Sequence, residues 1–136
     1  MYSFNYNYRV RYADTDQMGY LYYGNYAKLY EIGRVETIRS LGFSYKEFET
    51  RLSIMLPVVS LESRYLKPAF YDDLLTIETK IKDLPSKMIA FECNIFNEKS
   101  ELINSGLIKL FFVDMITNKR VSAPDEFVQK LISYFD

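Results

Sequence analysis

Arg11-Tyr12-Ala13-Asp14-Thr15-Asp16-Gln17-Met18-Gly19-Tyr20-Leu21-Tyr22-Tyr23-Gly24-Asn25-Tyr26 joins a strand pattern to the only long helical pattern in the chain. These sixteen residues hold two aspartates, two glycines and five tyrosines. A strand that ends in acidic turn residues and feeds a helix brings carboxylates close to unbonded backbone N–H groups. Such N–H groups, at the positive end of the helix dipole, favour a negative charge. A carboxylate beside them has the chemistry of a base or a nucleophile.

Upstream, residues 2–12 alternate with period two. Tyr2, Phe4, Tyr6, Tyr8, Val10 and Tyr12 take one face; Ser3, Asn5, Asn7, Arg9 and Arg11 take the other. This predicts a strand with one wetter side. Downstream, residues 23–41 predict a helix. Tyr26, Leu29, Tyr30, Gly33, Thr37, Ile38 and Leu41 form its apolar side, and Gly42 suits the left-handed position after the last turn. Gly33 weakens a helix by about 1 kcal/mol relative to alanine, so its use here points to a close approach to a sheet. Glu31 and Arg34, three apart, are spaced to pair. Ser44-Tyr45-Lys46-Glu47 has the pattern of a capping box opening a short helix.

Strand patterns then follow one another. Residues 53–59 pass through Pro57, which belongs at an edge or a bend. Val59, Leu61, Ser63 and Tyr65 alternate with polar neighbours until Lys67-Pro68. Leu75, Ile77, Thr79 and Ile81 alternate next, then Ile89, Phe91, Cys93 and Ile95, with turns at 83–86 and 97–100. Residues 101–115 are apolar on both faces over 107–113, as in a central strand. The last element is a helix, with Ser122 as its expected cap and Pro124 at its first position. Short turns make successive strands antiparallel neighbours. The expected fold is α+β: one domain over residues 1–136, an antiparallel sheet wrapped around one long helix.

Composition narrows the function. The formal net charge is -1, which gives no basis for nucleic-acid binding. No apolar run is long enough to span a bilayer, and no basic-then-apolar leader is present, so no membrane insertion and a cytoplasmic location are expected. One cysteine, Cys93, allows neither an internal disulfide nor a cysteine metal cluster. There is no histidine, which excludes imidazole-based triads and histidine metal sites. Acid–base work falls to Asp, Glu, Lys, Tyr or water.

The motif Asp14-Thr15-Asp16-x-x-Gly19 with Tyr22, Asn25-Tyr26, Glu31 and Arg34, followed by Ser63-Arg64-Tyr65-Leu66-Lys67-Pro68-Ala69 and Asp72-Asp73, resembles the hotdog-fold acyl-CoA thioesterases. The similar branch is the 4-hydroxybenzoyl-CoA thioesterase family, including its members associated with the Tol-Pal envelope system. The resemblance covers nearly the whole chain. It implies a hotdog fold, homodimers whose sheets join, often dimers of dimers (a homotetramer), and active sites at the subunit boundary. It puts the catalytic carboxylate on Asp16, facing a helix-start amide at Tyr23 that polarises the thioester carbonyl, with Gly19 between them. It also implies a pantetheine channel and basic residues on the nucleotide phosphates. Tyr20, Tyr22, Asn25, Lys67 and Lys87 are the expected substrate-binding residues. No cofactor and no metal are implied. The chain departs from many members at Tyr23, where they carry histidine, and at Tyr20, where they carry a small branched residue, so acyl preference does not transfer.

Read without that resemblance, Asp14 and Asp16 are turn residues, Gly19 supplies a positive φ, the tyrosines pack, and the lysines are solvated charges. The full motif assigns Asp16 to chemistry and leaves Asp14 holding the loop. The expected activity is hydrolysis of a small or medium acyl-CoA to acid and CoA. Asp16 either activates water or attacks the carbonyl itself, and both routes stay open. The alternatives are an acyl-carrier-protein thioesterase, sharing the pantetheine arm, and a non-catalytic acyl-CoA-binding module. A hotdog dehydratase would use a histidine that this chain lacks.

Overall fold

In the computed structural model, which describes residues 1–136, five strands form one antiparallel sheet. They are β1 (Tyr2–Arg9), β3 (Val58–Tyr65), β4 (Leu74–Ile81), β5 (Met88–Phe96) and β6 (Leu102–Phe111), in the order β1-β4-β5-β6-β3. Short turns stitch β4, β5 and β6 into a meander, while β1 and β3 come from before it and take the two edges. The remaining strands, β2 (Ile54–Met55) and β7 (Val113–Asp114), pair separately. The helices are α1 (Tyr26–Ser40), α2 (Tyr45–Thr50) and α3 (Asp125–Leu131).

The period-two patterns decide which face meets α1. Leu75, Ile77, Thr79 and Ile81 of β4 and Ile89, Phe91, Cys93 and Ile95 of β5 are all buried, as expected. α1 lies over them on Tyr26, Leu29, Tyr30, Gly33, Thr37 and Ile38. The approach at Gly33 is close: a Cβ there would sit 2.6 Å from the Thr79 hydroxyl and 2.7 Å from an Ile77 methyl. Gly106 on β6 makes room in the same way for the Tyr30 ring. That ring crosses the sheet so that its hydroxyl donates to Asn104 and meets the Ser63 hydroxyl at 2.6 Å. Cys93 is fully buried and its thiol is pushed up to about 11 by burial. At one end, Phe43, Phe48 and Phe127 tie α2 and α3 together, with ring centroids 4.8 to 5.8 Å apart.

Half of the capping box is formed: the Ser44 hydroxyl accepts from the Glu47 N–H at 3.1 Å, while the Glu47 carboxylate accepts from Arg51 instead of the Ser44 N–H. Gly42 takes φ +83°, as its place after the helix requires. Four expectations need correction. The first strand stops at Arg9, because Tyr12–Asp14 coil into a 3-10 turn that throws Tyr12 onto the Tyr71 ring. The α-helix starts at Tyr26, preceded by a 3-10 turn at Tyr23–Asn25. The final helix caps at Pro124, because Val121 and Ala123 are held extended by bonds to the Phe112 and Ser86 carbonyls, which keeps Ser122 out of the cap. Glu31 and Arg34 do not pair: Arg34 turns inward and its Nε donates to the Tyr45 hydroxyl at 3.2 Å.

Candidate active site

The loop after β1 is built on two aspartates with different jobs. Asp14 is 4% exposed. Its Oδ2 accepts from the Tyr8 hydroxyl at 2.7 Å and the Arg11 N–H at 2.9 Å, and its Oδ1 accepts from the Lys28 ammonium at 2.6 Å. Burial pushes this carboxyl's pKa up, but the bonds from Lys28, Arg11 and Tyr8 together outweigh it and hold the group below its ordinary value. Its main-chain carbonyl accepts from the Tyr22 N–H at 2.8 Å and the Asn25 side-chain amide at 2.9 Å.

Asp16 is half-buried two residues on. Its Oδ1 accepts from the N–H groups of Met18, at 2.9 Å, and Tyr20, at 3.2 Å. Its main chain closes a turn from Gly19 N–H to Asp16 carbonyl at 3.0 Å, with Gly19 at φ +80°. Short-range bonding of this kind is what Asp does in turns. It occupies one carboxylate oxygen only. Oδ2 has no protein partner and is left for a ligand.

Asp16 faces a cleft of about 260 Å³ that it lines with Met18, Tyr20, Tyr23, Tyr26, Tyr65 and Lys67, among others. Tyr23 opens the 3-10 turn before α1. The first N–H groups of a helix have no acceptor inside it, so the Tyr23 N–H has no partner within the turn, and Tyr23 lines the same cleft as the Asp16 carboxylate. Two larger hollows, of about 540 and 660 Å³, are lined mostly by charged and polar side chains, and neither is lined by Asp16 or Tyr23. The implied arrangement had Asp16 facing the helix start across a subunit boundary. In the structure both groups line one cleft of a single chain.

Of the expected binding residues, Tyr20 and Lys67 line this cleft, with the Lys67 ammonium on Glu101. Gly19 sits in the turn beneath it. The Tyr22 ring packs over Gly24 and beside Tyr23, outside the cleft lining. The Asn25 amide is spent on Asp14. Lys87 does not join the group within one chain. The Asp16 loop bonds at the Leu74 end of β4, through Leu21 N–H to Ala69 carbonyl, while Lys87 follows its Ile81 end. That separation is roughly 26 Å along eight residues of strand.

Sequence reading missed Tyr65 as a site residue. It stands on β3 with its ring edge-on to Tyr26, centroids 5.2 Å apart, and its hydroxyl donates to the Tyr23 carbonyl at 3.3 Å. The available signal was its place at the end of an alternating strand, directly before Leu66-Lys67-Pro68. Tyr26 forms the floor, and its buried hydroxyl is raised to about 12, so it stays protonated.

Known proteins share this arrangement of chain. YneP of Bacillus subtilis (strain 168) is 38% identical over 93 residues, 68% of this chain and 67% of its own. The acyl-CoA thioester hydrolase YbgC of Escherichia coli O6:H1 is 31% identical over 121 residues, 88% of this chain and 89% of its own. The crystal structure of a DHNA-CoA thioesterase from Staphylococcus aureus superposes with a TM-score of 0.91 at 31% identity, covering 98% of this chain and 91% of that one. Residues 10–131, from the end of β1 through α3, match the thioesterase-like superfamily, and with a hotdog sheet wrapped on α1 the chain belongs to that family.

Proposed function

We propose that the protein hydrolyses an acyl-CoA thioester to the carboxylic acid and free CoA, with Asp16 and the Tyr23 amide as its working groups. The observation that carries this is one cleft lined both by Asp16, whose carboxylate keeps one oxygen free of protein partners, and by Tyr23, whose N–H has no intrahelical acceptor. The thioester carbonyl oxygen accepts from the Tyr23 N–H, and the donor strengthens as that oxygen gains charge. Removing one such donor has cost about 3–4 kcal/mol in other enzymes. Asp16 Oδ2 then takes a proton from water as the water oxygen bonds to the carbonyl carbon. The carbon–sulfur bond breaks and the CoA thiolate leaves, taking up a proton. In the covalent variant, Oδ2 itself bonds to the carbonyl carbon, the carbon–sulfur bond breaks to expel the thiolate, and the mixed anhydride left on Asp16 is cleaved by water. Tyr20, Tyr65 and Met18 supply the apolar wall for the acyl group.

A second copy completes the site in this reading. β3 is an edge strand with one row of backbone groups unpaired. Its Leu61 and Tyr65 are 44% and 52% exposed. Antiparallel pairing of two copies about the middle of β3 sets Val58 of one opposite Tyr65 of the other. It also turns the Lys87 end of one sheet toward the cleft of the other, where Lys87 can meet CoA phosphates alongside Lys67. A homodimer, and from it a dimer of dimers, is the assembly this supports. No helix is long and apolar enough to cross a membrane. A single cysteine held as a buried thiol suits a reducing cytoplasm.

The test is turnover of an acyl-CoA panel followed with a thiol-reactive dye, with Asp16→Asn as control. Asparagine keeps the Oδ1 acceptor and therefore the turn. We expect the variant to fold and to lose about 10²-fold or more in kcat. Thiol release at wild-type rates by the folded variant rejects the assignment; binding without release favours a non-catalytic module.

A further inference from the structure

Asp14 lies outside the cleft, yet five hydrogen bonds converge on it from three parts of the chain. Its carboxylate joins the end of β1, at Tyr8 and Arg11, to the first turn of α1, at Lys28. Its carbonyl holds Tyr22 by the main chain and Asn25 by the side chain, at 2.8 and 2.9 Å. Those two residues bracket Tyr23 and Gly24. The direction of the Tyr23 N–H therefore follows the position of one oxygen atom, and that atom is fixed by the carboxylate of the same residue. Asp16 follows two residues later, held to the same loop by its N–H on the Tyr20 carbonyl at 2.9 Å.

We propose that the Asp14–Lys28 ion pair is the positioning device of the site: it sets the spacing and angle between the Asp16 carboxylate and the Tyr23 N–H without touching substrate. This rests on the thioesterase reading for its consequence in catalysis, but its structural half stands apart from it. The Lys28 side chain is 43% exposed and the Asp14 side chain 5%. The ammonium thus remains in contact with solvent in the groove between β1 and α1 while neutralising a carboxylate that is not. Taking the cation away leaves a buried charge short of its partner, and a buried charge in that state moves or takes a proton. Either response shifts the loop. A misplacement of the reacting groups by about 1 Å, caused by a change far from them, can cost about 10²-fold in rate, so a substitution that never meets the ligand should register in kcat.

The experiment uses Lys28→Met and Asp14→Asn in the full chain, with Lys28→Arg as the conservative restoration. Two readouts are taken: steady-state kinetics on the best acyl-CoA, and hydrogen exchange of the Tyr22 amide. We expect kcat to fall about 10-fold or more in Lys28→Met and Asp14→Asn, with KM within about 2-fold, faster exchange at Tyr22, and recovery of both readouts in Lys28→Arg. Unchanged Tyr22 exchange in folded Lys28→Met overturns the proposal whatever the activity. A change confined to KM overturns it too, since it would put Lys28 on substrate. Should the wild-type chain hydrolyse no thioester, the activity assignment fails, and the exchange data still decide whether the ion pair holds the loop. Should Asp14→Asn fail to fold, Lys28→Met carries the test alone.

Discussion

The Tyr65 hydroxyl, on edge strand β3, donates to the main-chain carbonyl of Tyr23 at 3.3 Å. A strand from one side of the sheet thereby steadies the turn that lines the cleft with Asp16. Tyr65→Phe keeps the ring against Tyr26 and removes only this bond, a net contribution of about 0.5–1.5 kcal/mol. We expect kcat to drop about 2- to 10-fold, with the melting temperature lower by about a few degrees at most. Tyr65→Ala, which also removes a wall of the cleft, should raise KM as well, and comparing the two by steady-state kinetics separates the roles.

Gly33 and Gly106 set the thickness of the helix–sheet layer. Alanine at position 33 gains about 1 kcal/mol in helix propensity. It also puts a methyl 2.6 Å from the Thr79 hydroxyl, and overpacking of this kind costs about 1–3 kcal/mol. Gly33→Ala should therefore be destabilising on balance, and Gly106→Ala more so, because it strikes the Tyr30 ring and its bonds to Ser63 and Asn104. Urea unfolding of the two variants checks the order.

Acid should weaken the fold through Asp14. Its folded pKa is depressed below 3.8, since the bonds from Lys28, Arg11 and Tyr8 overcome the opposing effect of burial. Above the unfolded value the group is ionised in both states and its contribution is complete. As pH falls through the depressed folded value the unfolded chain binds the proton first, and the contribution is lost. Thermal melts taken from about pH 7 down to about pH 2 should steepen below about pH 4 in the wild type and less so in Asp14→Asn.

The β3 edge makes a prediction about assembly. Leu61→Lys places a charge on a strand that we propose pairs with its own copy, a common way to block edge pairing. Sedimentation should show a smaller species than the wild type. In the same reading Lys87→Ala raises KM for acyl-CoA only where the assembly forms. An unchanged sedimentation coefficient would remove β3 as the joining edge.

Much of this was readable from residue order. The alternations at Leu75–Ile81 and Ile89–Ile95 gave the buried face of the sheet, because a period of two is a direct record of which side is dry. Gly33 announced the close helix approach, and Ser44 with Glu47 announced α2. The errors lie where bonds to distant segments decide a boundary. Ser122 failed as a cap because its neighbours are tied to Ser86 and Phe112, and Tyr12 left its strand because Asp14 bends the loop toward Lys28. The cleft lining was legible at Asp16, Tyr20, Tyr23 and Lys67, whose motifs are local. It was not legible at Tyr65, forty-two residues from Tyr23 along the chain, nor in the commitment of Asn25 to Asp14. Both are facts of tertiary contact that leave no spacing signal.

The burial of Cys93 has a practical corollary. The chain's only thiol lies beneath α1 with its proton held up to about 11, so almost none of it is thiolate under ordinary assay conditions. A disulfide reagent added to the native protein will find no sulfur to react with except that of released coenzyme. Colour development can then be counted as turnover without a blank for the protein, and a slow rise without substrate would report unfolding.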